Sequence, residues 1–172
     1  LTFEGMHLDV DKLRGWKESV VNRLTGGLGQ LTKQRKIDFV QGRATFVDSR
    51  TVTVSRADGG DMRITFDHAI LATGSVPARV PFFPESPRIM DSTGALELPD
   101  VPRRLLVAGG GYIGLELGQA YASFGASVSV VEMLPSLLAG ADQDLARVLG
   151  QRLKKQFAAI MVKTKVVEMK DL

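Results

Sequence analysis

The stretch Arg104-Leu-Leu-Val-Ala-Gly-Gly-Gly-Tyr-Ile-Gly-Leu-Glu-Leu-Gly118, followed after seven residues by Ala126-Ser-Val-Ser-Val-Val-Glu132, decides the fold. Residues 105–108 form a short apolar run of the kind buried in a parallel sheet. Gly109, Gly111 and Gly114 follow it with GxGxxG spacing. Ile113, Leu117, Ala120, Tyr121 and Phe124 then fall on one face of an expected helix, and Gly125 is placed to end it. Val128, Val130 and Val131 make a second strand that Glu132 closes.

Each glycine has a mechanical reason to be there. Gly109 permits the tight strand-to-helix turn. Gly111 lets a pyrophosphate approach backbone without a Cβ in the way, and Gly114 and Gly118 let the helix lie close on the sheet. An anion at the helix N-terminus is favoured by free N–H groups and by the macrodipole. Glu132, about 20 residues on, is placed to accept from the hydroxyls of an adenosine ribose. A carboxylate there repels a 2′-phosphate and no Arg follows it directly, so NAD is expected rather than NADP. The alternative is a glycine-rich turn that only packs a helix on a sheet. The ordered series of strand, glycines, helix, strand and acid favours dinucleotide binding.

Composition sets the bounds. The 172 residues are 44% hydrophobic, which suits one globular domain or pieces of two. No apolar run approaches the ~20 residues of a membrane span. The net charge of +3 is mildly basic, but with 6% aromatic residues and no basic stripe a nucleic-acid surface is rejected. Cysteine is absent, which excludes disulfides, thiolate metal sites and a dithiol redox pair within this chain, and no metal site is expected. His7 and His68 read as surface residues. Asp91 and Glu97 offer capping or solvated roles rather than paired-carboxylate chemistry.

The rest of the chain supplies context. Residues 9–33 read as a long amphipathic helix carrying Leu13, Trp16, Val20, Leu24, Leu28 and Leu31 at helical spacing. Thr25-Gly-Gly-Leu-Gly29 is expected to loosen it or to admit a close neighbour; no strand precedes it as a phosphate loop requires. Residues 37–40, 44–47, 51–55, 62–66 and 69–71 read as β segments, the last more buried and ending at Thr73-Gly74. Residues 77–102 hold all but one of the seven prolines and form the expected linker, with a helical turn over residues 91–97. After a loop over residues 133–141, Asp142 caps a helix that buries Leu145, Val148, Leu149 and Leu153. Residues 160–162 and 165–169 read as further strands. A Rossmann domain has more strands than these, so the domain is expected to be C-terminally incomplete.

The strings Leu-Thr-Gly-Gly-Leu28, Ile70-Leu-Ala-Thr-Gly-Ser75, Asp91-Ser-Thr-Gly-Ala-Leu96 and Gly109-Gly-Gly-Tyr-Ile-Gly-Leu-Glu-Leu-Gly118 together carry a resemblance. The chain resembles the central part of the flavoprotein disulfide reductases, and among them the dihydrolipoamide dehydrogenases. The resemblance implies an α/β protein: residues 1–76 as part of an FAD-binding domain (the long helix and an antiparallel meander), 77–102 as a connecting segment, and 103–172 as the first βαβ units of a Rossmann-type NAD-binding domain. It implies electron transfer from dihydrolipoamide of a 2-oxo acid dehydrogenase-type complex, through an enzyme disulfide and FAD, to NAD. A homodimeric, cytoplasmic parent protein is implied as well.

By the same resemblance, Gly109, Gly110, Gly111 and Gly114 hold the NAD pyrophosphate and Glu132 the ribose. Tyr112 and Ile113 line the nicotinamide pocket, and Glu116 approaches the isoalloxazine beside a lysine this chain lacks. Val166 packs on the adenine. Ala44, Thr73 and Gly74 lie beside FAD. The family's first GxGxxG, its redox cysteine pair and its His–Glu pair are missing, so no catalytic residue is assigned to this chain. Two alternatives stay open: another NAD-linked relative, such as a glutathione- or mercury-reducing flavoenzyme, and a non-catalytic NAD-binding module that senses redox state.

Overall fold

A computed structural model describes residues 8–170, so His7 lies outside the described residues. The elements in order are α1 (Val10–Gln34), β1 (Arg43–Asp48), β2 (Thr51–Arg56), β3 (Gly60–Thr65), α2 (Ser92–Glu97), β4 (Arg104–Ala108), α3 (Tyr112–Ser123), β5 (Ser127–Val131), α4 (Gln143–Leu153) and β6 (Ala159–Met161). The fold is α/β, with an antiparallel meander β1-β2-β3 and a parallel sheet β4-β5-β6. Two compact units divide it: Lys17–Ser75, and the described residues on either side of that stretch.

The first unit holds most of α1 and the meander. Alternating β-branched residues pair across it, Val52 opposite Phe46 on one side and Ile64 on the other. Its tight turns follow from local chemistry: Asp48 accepts the Arg50 amide at 2.8 Å, and Gly59 takes φ +79. Phe46 and Phe66 meet edge to face at 5.9 Å between centroids. Helix α1 runs unbroken through its glycines, and among the described residues nothing lies within 4 Å of a Cβ built on Gly26, Gly27 or Gly29, so neither the expected loosening nor the expected close neighbour is found among them. Along its apolar stripe Trp16 is 65% and Leu24 66% exposed, whereas Leu13 and Val20 are half-buried.

Two expected strands of this unit are absent. Residues 37–40 and 69–71 join no ladder among the described residues, and Ile70 is 94% exposed. An apolar run becomes a strand only where neighbouring strands pair with it and layers cover it. The described sheets supply no such partner for either run.

The second unit is built on the parallel sheet. Val107 pairs with Val130, and Val130 with Ile160. Leu115, Tyr121, Val128, Val130, Leu153 and Phe157 form its core, joined by Leu98 and Leu137. Helix α2 begins as its sequence dictates, with Asp91 Oδ1 accepting the Gly94 amide at 2.9 Å. Gly125, at φ +107, follows the last turn of α3.

The helix faces differ from expectation. In α3 the buried positions are Leu115, Gly118 and Tyr121, whereas Ile113 is 45% exposed. Gly114 and Gly118 face the strands closely, since a Cβ on Gly114 would lie 2.9 Å from Val107 Cγ1 and one on Gly118 3.5 Å from Val128 Cγ1. In α4, Ala146 and Leu153 are buried, while Leu145 and Val148 face outward. Ala146 and Leu153 lie on the inner face, and Gly150 meets Leu137, whose Cδ1 is 4.0 Å from where a Cβ on that glycine would be. Residues 165–169 form no strand among the described residues.

Tyr121 ties two helices together by donating its hydroxyl to the Ala95 carbonyl at 3.0 Å. Burial, and then the Asp100 carboxylate, push the phenol above its ordinary value of 10.0. A raised folded-state value means that this stabilisation is complete below pH ~10 and is lost as pH climbs through the folded value. Tyr121→Phe is expected to lower stability at neutral pH by about 0.5–1.5 kcal/mol. It should also flatten the alkaline fall in melting temperature; an unchanged alkaline limb would assign that fall to other groups.

Candidate functional site

The turn between β4 and α3 is the feature the sequence singled out. Gly109 leaves the strand at φ +120, a region that disfavours side chains, and donates its amide to Val131 O at 2.8 Å. Gly110 is buried. Gly111 is the N-cap of α3, with extended backbone and no side-chain cap bond. The amides that open α3 therefore lack a side-chain acceptor and point outward at the C-terminal end of the parallel strands.

The glycines do different work. A Cβ on Gly114 would lie 2.6 Å from the Gly109 carbonyl oxygen and 2.9 Å from Val107 Cγ1. One on Gly118 would lie 3.2 Å from Phe157 Cζ. These two glycines bring helix and strand into contact. Gly111 has nothing within 4 Å of such an atom, so its surface is free for a ligand.

Glu132 reaches back into this turn. Its Oε2 accepts the Gly110 amide at 2.6 Å, and its Oε1 accepts the Leu134 amide at 2.7 Å. The carboxylate is only partly exposed, and each oxygen keeps lone-pair capacity for a further donor. Sequence reasoning placed Glu132 by its spacing but gave no hint of this double backbone contact. Leu137 went unnoticed too: its Cδ2 lies 2.7 Å from where a Gly110 Cβ would be. The loop around it, residues 133–141, is apolar apart from Ser136, so nothing in the sequence set Leu137 apart from Leu134 or Leu138.

The other named residues fall into two groups. Tyr112, Ile113 and Glu116 stand exposed on the first turns of α3, beside Gly109, Gly110, Gly111 and Gly114. Val166 follows a segment that crosses the loop after β5, where Lys163 N–H donates to Leu134 O and Thr164 N–H to Glu132 O, each at 2.9 Å. Ala44 lies in β1 opposite Val54, and Thr73 and Gly74 lie in exposed chain after the meander. No hydrogen bond among the described residues joins Ala44 to Thr73 or Gly74. His68 is exposed, and no group of three or more His, Asp or Glu able to hold a metal occurs among the described residues. None of the described helices is long and apolar enough to cross a membrane.

These features define a class: a parallel α/β unit of the Rossmann type, with its glycine turn at the carboxyl end of the first strand and an acid closing the second. The chain belongs to the pyridine nucleotide-disulphide oxidoreductase family, whose pattern matches residues 2–172. Among similar proteins, the dihydrolipoyl dehydrogenase of Haemophilus influenzae is 45% identical over 98% of this chain and 36% of its own length. That of Vibrio cholerae is 48% identical over 95% of this chain and 34% of its own length. The chain thus spans about a third of the curated relatives it matches. The HOCl-induced flavoprotein disulfide reductase RclA of Escherichia coli superposes with a TM-score of 0.80 at 29% identity, over 93% of this chain and 37% of that one. LpdA of Mycobacterium tuberculosis has the same fold, with a TM-score of 0.83 at 21% identity over 96% of this chain and 38% of its own.

The packing yields a contrast between two glycines. Gly114→Ala should destabilise the protein by about 1–3 kcal/mol, because the methyl meets backbone that cannot yield. Gly111→Ala should cost no more than about 1 kcal/mol, the loss of a tolerated N-cap. Thermal or denaturant unfolding of both variants checks the order; the reverse order would contradict the packing described.

Proposed function

We propose that this chain is the NAD-binding portion, with part of the FAD surround, of a dihydrolipoyl dehydrogenase. On this reading residues 1–76 belong to an FAD-binding domain, residues 77–102 connect, and residues 103–172 belong to the NAD-binding domain. The observation that carries it is the convergence at one point of the uncapped α3 N-terminus, the open face of Gly111 and the Glu132 carboxylate. The 45% and 48% identities to enzymes of that name favour it over another flavoprotein disulfide reductase, since RclA stands at 29%.

The residues present fit a dinucleotide. The opening amides of α3 and the Cβ-free Gly111 suit a pyrophosphate, held by hydrogen bonds and by the helix dipole. Glu132 has acceptor capacity for the ribose hydroxyls while it holds Gly110 and Leu134. Tyr112 and Ile113 border the nicotinamide end, Glu116 faces the flavin, and Val166 lies against the adenine. Ala44, Thr73 and Gly74 contribute to the FAD surround. Bound NAD supplies the hydride acceptor for electrons that arrive through FAD. This chain's own residues bind and orient; none is assigned a catalytic role. The whole protein would act on the dihydrolipoamide of a 2-oxo acid dehydrogenase-type complex, as a cytoplasmic homodimer, without nucleic-acid or membrane partners.

In the full-length, FAD-loaded protein, Glu132→Ala should weaken NAD by about 1–3 kcal/mol, roughly 5- to 150-fold, as buried hydroxyls lose their acceptor. The loss should appear in KM for NAD more than in kcat, since the ribose contact is shared by ground and transition states. Steady-state kinetics with dihydrolipoamide and NAD checks this. Unchanged KM would remove Glu132 from the site, and absence of dihydrolipoamide oxidation by the wild-type protein would overturn the assignment of substrate.

A further inference from the structure

The loop between β5 and α4 carries no motif, yet its best-buried side chain is seated against the glycine turn. Leu137 is 8% exposed and belongs to the core of its unit. One of its methyls, Cδ2, occupies the space that a Cβ on Gly110 would need, 2.7 Å away. Its other methyl, Cδ1, lies 4.0 Å from where a Gly150 Cβ would be, so the side chain spans from the turn to α4. On the backbone next to it, Leu138 N–H donates to Gly110 O at 3.0 Å, with Leu138 in the left-handed region at φ +50. Gly110 N–H is held by Glu132 at 2.6 Å. Both polar groups of Gly110, and the face where its side chain would be, are therefore taken by residues 132–138.

We propose that Leu137 is a positioning residue for the dinucleotide: wedged between Gly110 and α4, it fixes the glycine turn against Glu132 before the ligand arrives. The inference rests on the dinucleotide reading given above and deepens it. Glycine at position 110 is then demanded by the loop that covers it, not by the ligand. Gly111 keeps the opposite arrangement, open on the side where Gly110 is closed. A turn free to move would have to be ordered at the moment of binding, and that ordering cost would subtract from affinity. The wedge removes the cost in advance.

The test uses the full-length, FAD-loaded protein with Leu137→Ala, Leu137→Met and Gly110→Ala. Two quantities are read: NAD affinity by titration, and amide hydrogen exchange without nucleotide in residues 109–112 and 133–141. Leu137→Ala should weaken NAD roughly tenfold and speed exchange in both segments, while residues 104–107 of β4 and 127–130 of β5 exchange as before. Leu137→Met, which refills the volume, should restore both to within about twofold. Gly110→Ala presses on Leu137 Cδ2 and also on the Glu132 side chain, 3.0 Å from such a Cβ, so its exchange is the quantity read: it should speed in both segments even if Leu137→Ala fails to fold.

Wild-type NAD affinity in a Leu137→Ala or Gly110→Ala protein whose loop has opened would overturn the proposal. Unchanged exchange in the two segments would do the same. Failure of the wild-type protein to bind NAD would instead defeat the dinucleotide reading, with the exchange data still reporting on the wedge itself.

Discussion

The Glu132 carboxylate accepts two backbone amides at once, from Gly110 at 2.6 Å and from Leu134 at 2.7 Å, and the geometry of the candidate site follows from that pair of bonds. Without the carboxylate, the buried Gly110 amide would lose its acceptor, at a cost of about 1–3 kcal/mol. The same two bonds fix the distance between the glycine turn and the chain leaving β5. The carboxylate stays partly exposed while it makes them. One acid thus supports the turn and offers itself to a ligand.

Around that contact the parallel sheet acts as a jig. Gly109 donates to Val131 at 2.8 Å, and Glu132 donates its own amide to Met161 at 2.8 Å, so the turn and the acid are both tied to strand ends. Gly114 and Gly118 remove the side chains that would hold α3 away from β4. At Gly114 the Gly109 carbonyl and Val107 take up the space so released, and at Gly118 Phe157 and Val128 do. Gly110, Gly114 and Gly118 are closed by their neighbours, whereas Gly109 and Gly111 have nothing within 4 Å of where a Cβ would be.

The βαβ unit was legible in the sequence because three independent signals coincide there: a buried-strand apolar run, glycines at fixed offsets, and an acid at the end of the next strand. The cap at Asp91 was legible for a similarly local reason, a side-chain oxygen three residues before an orphan amide. What escaped reading was decided by tertiary contact. The apolar run at residues 69–71 looks like a strand but has no strand beside it in the described fold, and the side on which α3 is buried depends on how closely Gly114 lets it approach. The packing of Leu137 on Gly110 was invisible in the sequence because the two lie 27 positions apart in the chain.

The proposed contact of the Glu132 carboxylate with an adenosine ribose is tested most directly by the pair of dissociation constants for NAD and NADP in the full-length protein. A partly buried carboxylate facing a 2′-phosphate is unfavourable, so NAD should bind at least about tenfold more tightly. Equal affinities, or tighter binding of NADP, would contradict the placement of Glu132 and with it the reading of the glycine turn.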